Sequence, residues 1–334
     1  EAGPEVRLHG DGRGLGRPRR ALARRRPLTT GARTRFRTGT GRPALLLLVL
    51  LAALLAPASA TPAGAQARYP AWSPDGALLA YQERLGEDIH IQVVGPDGRP
   101  LQATRGPGVR THPTWAPTGR RLTYAARLPG EDPDLWILDV ETGTRTRLTD
   151  TPAEELHPAW SPDGLRIAYV LRGDEGGAEL WTVAADGTDA RRLTDTPGRE
   201  ERHPAWAADG ASLLVEVVEN GMPALWRIPL DDAPPSRLTD PATQGPAADP
   251  TWLRPGGPVV FVRRSEGGGR DLWTVEGDGS RPARLTEIGA AVGGPAPSPD
   301  GRNLAFHSDH GGRPAIHLLR TATGEVVFVA GPGG

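Results

Sequence analysis

The chain has 334 residues, with 39 basic against 40 acidic side chains and a formal net charge of −1. It contains no Cys, and every basic side chain is Arg rather than Lys. That excludes disulfides, thiolate nucleophiles, Cys-ligated zinc, iron–sulfur clusters, a P-loop lysine and Schiff-base chemistry. The near-neutral total hides opposite halves: residues 1–42 carry twelve Arg against three acids, 43–67 carry no charge, and the remainder sums to −10.

In chain order, the first feature is the Arg-rich stretch 1–42, followed by the 13-residue apolar run Ala44–Ala56. A helix needs about 20 apolar residues to span a bilayer, so this run is too short to cross one. Basic residues before it, and the small-residue sites Ala58-Ser59-Ala60 and Ala65-Gln66-Ala67 after it, are the layout of a secretory signal peptide. Residues 43–67 are therefore read as the hydrophobic region and cleavage site, with cleavage after Ala67 preferred. Residues 1–42 read as a leader, disordered or not in the mature protein. Its Arg content suits phosphate contacts, but it has a single aromatic, Phe36, and lies on the side that cleavage removes. No nucleic-acid role and no membrane insertion after cleavage are expected.

From residue 68 to 334 the sequence repeats. The unit P-A-W-S-P-D-G stands at Pro70–Gly76 and Pro158–Gly164, with variants beginning at Pro113, Pro204, Pro250 and Pro295. Its anchor positions Trp72, Trp115, Trp160, Trp206, Trp252 and Pro297 are 43 to 46 residues apart, a period that signals propeller blades or another array. Each unit predicts four short strands. A first strand ends in the x-P-D-G turn, where Pro presets one corner and Gly supplies positive φ. A second follows, such as Ile167–Val170, then a third carrying Leu-Trp, as at Leu180-Trp181. A tight turn (Pro96–Gly98, Ala185–Gly187, Gly277–Gly279) leads to a fourth ending in R-L-T, as at Arg192–Thr194. All nine Trp fall on the first or third strand, which reads as packing between units. Gly and Pro, nearly a quarter of the chain, are then turn content rather than disorder.

The predicted fold is all-β: a six-bladed β-propeller of four-stranded antiparallel blades starting near 70, 113, 158, 204, 250 and 295, an architecture that protects sheet edges by radial repetition. The motif series PAWSPDG, IAY, LW, DG and RLT resembles the TolB-type, WD40-like propeller repeat (PD40) across residues 70–329. The first and last copies are degenerate, at Leu101–Thr104 and Pro297. The resemblance is to the propeller alone, without the α/β domain that precedes it in TolB.

Recognition is expected on the variable loops, which include 127–134, 151–156, 172–179 and 241–248, because binding residues sit on variable loops over a rigid scaffold. One position stands out: the residue before the repeat's Pro, placed at the start of the innermost strand near the channel mouth. It is Tyr69, His112, His157, His203, Asp249 and Gly294 across the six units. The first five are the candidate binding residues. Three His and one Asp also form an alternative divalent-metal set, His112, His157, His203 and Asp249, since imidazole and carboxylate suit Zn, Mn or Fe. The competing reading is that the slot pairs blade backbones and the chain carries no cofactor.

No nucleophile constellation is legible. Ser308 is flanked by His307, Asp309 and His310, but neighbours on a strand point to opposite faces. The Asp of each S-P-D-G reads as turn chemistry. The resemblance implies a non-enzymatic, monomeric, periplasmic or secreted scaffold that binds a protein or peptide partner in the cell envelope. The alternatives are a metal-dependent enzyme or metal-binding propeller with its site at the channel mouth, or a propeller relative of prolyl-oligopeptidase-type enzymes without the catalytic domain.

Overall fold

The computed structural model describes residues 65–334 apart from 96–99, 174–176, 232, 266 and 332–334. The leader, the apolar run and the Pro96–Gly98 turn lie outside these residues. Twenty-four strands follow one another, four per repeat. The first unit holds β1 (Gln66–Trp72), β2 (Leu79–Leu85), β3 (Asp88–Val94) and β4 (Pro100–Ala103). The second holds β5 (Val109–Trp115), β6 (Arg121–Arg127), β7 (Asp134–Asp139) and β8 (Arg145–Arg147). The third holds β9 (Glu154–Trp160), β10 (Arg166–Arg172), β11 (Ala178–Ala184) and β12 (Arg191–Arg192). The fourth holds β13 (Glu200–Trp206), β14 (Ser212–Glu219), β15 (Met222–Pro229) and β16 (Ser236–Arg237), and is followed by a single helical turn, α1 (Pro241–Gln244). The fifth holds β17 (Ala247–Trp252), β18 (Val259–Arg264), β19 (Arg270–Val275) and β20 (Ala283–Arg284). The sixth holds β21 (Val292–Pro297), β22 (Asn303–Ser308), β23 (Ala315–Arg320) and β24 (Val326–Ala330).

Within each unit the strands pair antiparallel in sequence order. Units one and two, and units three and four, are also joined by short parallel contacts at Ile89–Val109 and Ala178–Glu200. First strands pack on one another in the order β1, β5, β9, β13, β17, β21, and β21 packs back on β1. Across this last seam the Ala67 N–H donates to the Pro314 carbonyl at 2.9 Å. The same contact joins units two and three, where the Glu155 N–H donates to the Pro133 carbonyl at 2.8 Å. Every unit supplies its own four strands, and the circuit closes without an exchanged one.

The core lies between units. Each of six apolar clusters draws on two neighbours: Ile91 and Val93 meet Leu122 and Tyr124, for example, while Leu79 and Tyr81 meet Ile316 and Leu318 across the closing seam. Second strands are covered on both faces, so they are buried almost end to end instead of alternating, as in β6, β14 and β22. Two first-strand indoles tie units directly: Trp115 Nε1 donates to the Ala71 carbonyl and Trp206 Nε1 to the Ala159 carbonyl, both at 3.0 Å.

The repeat letters have local jobs. In the S-P-D-G turn at Ser73, the hydroxyl accepts the Leu78 N–H at 2.8 Å and donates to Asp75, which in turn accepts the Ala77 N–H at 3.0 Å. Ser161/Asp163 and Ser298/Asp300 repeat the arrangement. In R-L-T, the Thr hydroxyl oxygen accepts the N–H of the third-strand Leu: Leu135 to Thr149, Leu180 to Thr194 and Leu225 to Thr239 at 2.9 Å, and Leu272 to Thr286 at 3.0 Å. The degenerate first unit keeps this bond, from Ile91 to Thr104. The Arg pairs with an acid heading the third strand, Arg147 with Asp134, Arg192 with Glu179 and Arg284 with Asp271. Gly187 and Gly279 have positive φ (87° and 85°), and a Cβ on either would come within 2.6 Å of a carbonyl oxygen of the preceding unit, that of Leu148 or Leu238.

Candidate functional site

The residue before each repeat Pro takes a left-handed conformation in all six units. The φ values are 49° at Tyr69, 53° at His112, 52° at His157, 48° at His203, 51° at Asp249 and 56° at Gly294. A residue preceding Pro is ordinarily driven to extended backbone, and a side chain with positive φ costs about 1–2 kcal/mol. The strain coincides with a break in register between the first and second strands of every unit, a β-bulge that re-aims the side chain. The slot therefore lies three residues inside β1, β5, β9 and β13 and two inside β17 and β21, not at the strand starts expected from sequence.

The bulges bring the five expected residues together. Ring centroids are 4.2 Å apart for Tyr69 and His112, 4.4 Å for His112 and His157, and 4.2 Å for His157 and His203. His203 Nδ1 stands 3.1 Å from Asp249 Oδ1, and the Gly294 N–H donates to Asp249 Oδ2 at 2.9 Å. Gly294 has no room for a side chain, since a Cβ there would meet Tyr69 Cδ1 at 2.9 Å. These residues floor a cavity of about 610 Å³ whose walls are the repeat prolines and first-strand residues. It extends to the turns after the first strands, at Pro74, Pro117, Pro162, Pro255 and Pro299. The variable loops expected to carry recognition do not line it.

Three further polar side chains lie behind the floor. They occupy one position of the second strand: Gln82 in β2, Glu216 in β14 and His307 in β22, each buried (6%, 3% and 7% exposed). Each holds the slot backbone of the next unit. The His112 N–H donates to Gln82 Oε1 at 3.1 Å, the Asp249 N–H to Glu216 Oε2 at 3.1 Å, and the Tyr69 N–H to His307 Nδ1 at 3.4 Å. Glu216 also stands 3.0 Å from His203 Nδ1. The sequence signal for Glu216 was a lone carboxylate inside the apolar run Leu213–Val218.

Charge on the floor is sorted by environment. Burial, reinforced by the charge on His203, pushes His112 down to about 3, and burial pushes His307 down to about 4. His157 is held well below the ordinary imidazole value by burial and by His203 and His112. Burial also works against a charged His203, but Asp249 and Glu216 outweigh it and raise that imidazole. Burial works against an ionised Asp249 too, and is overcome by His203 and the Gly294 N–H, so its carboxyl is lowered. Tyr69 is raised by burial and by Asp249, keeping its hydroxyl protonated. Of the three clustered imidazoles, His203 is thus the one whose surroundings favour the charged form, while His112 and His157 are held neutral.

Around the sixth second strand, Ser308 stands at the end of β22. Its oxygen accepts the His310 N–H at 3.2 Å, while Asp309 accepts the Ala291 N–H at 2.8 Å, so both serve the loop. Among the described residues no helix is long and apolar enough to cross a membrane.

Residues 97–244 match the family model of the TolB β-propeller domain, PD40. A TolB homologue of Chlorobium chlorochromatii is 35% identical over 78 residues, which are 23% of this chain and 18% of the relative, so the match spans under a fifth of that protein's length. The crystal structure of TolB from Acinetobacter baumannii superposes with a TM-score of 0.64 at 20% identity, covering 78% of this chain and 65% of that one. An oligogalacturonate lyase solved in complex with manganese superposes with a TM-score of 0.56 at 14% identity, covering 81% and 79%. At such identities the structural likeness is one of fold, and it extends to enzymes. In its repeats and its four-stranded antiparallel units the chain is similar to the TolB-type, PD40 β-propeller, and residues 97–244 match the model of that domain.

Proposed function

We propose that the six units are six blades closed around a funnel, and that the chain is an exported, non-enzymatic TolB-like scaffold that docks a protein or peptide partner in that funnel. The observation that carries this reading is the cavity itself. At about 610 Å³ it falls in the range of ligand sites, and its walls are prolines and indoles. Rigid apolar surface of this kind costs little conformational entropy when a segment packs on it. The polar floor ends the funnel with a few directed groups, which fix the register of whatever enters. The family resemblance implies a periplasmic or secreted setting with a partner in the cell envelope, and the acidic body agrees with a partner other than nucleic acid.

Ala208 provides the test, since it lines the cavity and is exposed. A photo-cross-linking residue at 208 is expected to capture a discrete envelope partner, while the same residue at Leu165, which is 66% exposed and does not line the cavity, captures none. A synthetic peptide covering the captured segment should bind the unmodified chain and fail to bind Ala208→Trp. Equal capture at both positions, or peptide binding untouched by Ala208→Trp, overturns the docking reading.

A further inference from the structure

We propose that the funnel floor is a transition-metal site in which His112, His157 and His203 hold one zinc ion and Asp249 and Glu216 act from behind as positioning residues. This goes beyond the docking reading and does not depend on it.

Convergence comes first. The three imidazoles come from three successive units, and one ring nitrogen from each lies within 4.8 Å of the others. Zinc–nitrogen bonds of about 2.0–2.1 Å in tetrahedral geometry place ligand nitrogens roughly 3.4 Å apart. Small side-chain rotations close the remaining gap.

The second observation is the state of the nitrogens. Both ring nitrogens of His112, Nδ1 of His157 and Nε2 of His203 are sealed from solvent and have no hydrogen-bond partner. Buried polar atoms are normally paired, and each exception asks for a reason. A shared cation is one reason that covers all three rings at a single point.

The third is the arrangement behind His203. Its Nδ1 faces Glu216 Oε2 at 3.0 Å and Asp249 Oδ1 at 3.1 Å, which leaves Nε2 as the nitrogen aimed at the cluster. Metal-bound imidazoles typically donate their other N–H to a carboxylate, which fixes ring and tautomer. Asp249 is therefore removed from the ligand set that the sequence suggested. Its oxygens are engaged by His203 and by the Gly294 N–H, and it orients rather than ligates.

An all-imidazole set with no thiolate and no carboxylate in direct contact favours zinc and its late first-row neighbours over calcium or magnesium. Three imidazoles leave a fourth coordination position for water or for an oxygen or nitrogen of an incoming group.

The experiment uses the full chain, stripped with chelator and dialysed, with zinc titrated calorimetrically and cobalt(II) by visible absorption. One equivalent should bind, cobalt should give the intense visible bands of a tetrahedral nitrogen-rich site, and the melting temperature should rise with zinc concentration. His157→Ala should weaken binding at least about 100-fold and Glu216→Gln about 10- to 100-fold, the range for outer-shell partners. His317→Ala, a His outside the cluster, should change nothing. Circular dichroism checks that each variant is folded, and His112→Gln replaces His157→Ala if the latter is not. The proposal is overturned if folded wild-type chain binds neither ion saturably by about 0.1 mM, if calcium outcompetes zinc, or if one-equivalent binding survives His157→Ala or His112→Gln.

Discussion

Replacing Glu155 by Gln should make the fold more stable at alkaline pH and flatten its pH dependence. Glu155 is fully buried in β9, where its Oε2 accepts the Thr149 hydroxyl at 2.8 Å and its Oε1 accepts the Thr151 hydroxyl. Burial pushes its carboxyl up to about 7 from 4.5; the two Thr bonds oppose the shift and nearby Asp134 adds to it. The unfolded chain ionises this group near 4.5 and the folded chain only near 7, so the folded state binds the proton more tightly. Its contribution is fully present below pH 4.5, declines between 4.5 and 7, and is gone above 7. At about 1.36 kcal/mol per pKa unit the ceiling is about 3 kcal/mol, and solvent screening leaves an expected 1–2 kcal/mol. Gln imitates the neutral acid and does not titrate. Urea unfolding of wild type and variant at pH 5 and pH 8.5 should therefore show a difference between the two proteins that grows by about 1–2 kcal/mol in favour of the variant at the higher pH. Comparing the two proteins cancels other raised groups, such as Glu201 and Glu83. A difference constant across pH to within about 0.5 kcal/mol would refute the reasoning.

Gly294→Ala should cost about 1–3 kcal/mol, because the position has φ 56° and a Cβ would stand 2.9 Å from Tyr69 Cδ1 and 3.1 Å from Tyr69 Cα; an unchanged denaturation midpoint would contradict the packing described. Thr239→Val keeps shape but strands the buried Leu225 N–H, at about 1–3 kcal/mol, and Thr239→Ser should restore most of the loss, both read by urea unfolding. Asp271→Asn should remove part of the acid sensitivity of folding. Burial works against ionised Asp271, but Ser265, the Ile288 N–H and Arg284 hold its carboxyl below the ordinary value. Its contribution is thus present above about pH 4 and lost as pH falls further. Thermal melts at pH 3 and pH 6 should show the variant less stable than wild type at pH 6 by about 1–3 kcal/mol, with a smaller gap at pH 3.

What the sequence disclosed was what repeats and is local. The S-P-D-G turns, the Leu-Trp strands and the R-L-T ends each satisfy their bonds within a few residues or one strand away, so their letters recur at a fixed period. The slot was visible for the same reason, as one column of six residues before Pro. Its placement was not, because a left-handed residue before Pro is locally unfavourable and is held by the bulge and, at Tyr69, His112 and Asp249, by a side chain of the preceding unit. Gln82, Glu216 and His307 were harder still. Each occurs once, and Ala125, Val170 and Val262 take the same strand position in the other units, so no column marks them. The pairing of Asp249 and Glu216 beside His203 joins residues thirty-three apart in the sequence and in different units. The way the circuit closes was hidden because its seam is joined by apolar packing and a backbone bond of the kind that joins internal units, which no distinctive letters mark.

That sameness gives the molecule a rotational indifference. The seam between the sixth unit and β1 has an apolar cluster and a backbone bond of the kind found at internal junctions, and Gly331 lies beside Ala67. Order along the polypeptide is then nearly decoupled from order around the ring. A circular permutant opened within 231–235 and spliced from 331 to 65 would keep all six interfaces, and where a translating ribosome starts reading the ring becomes a matter of history rather than of mechanics.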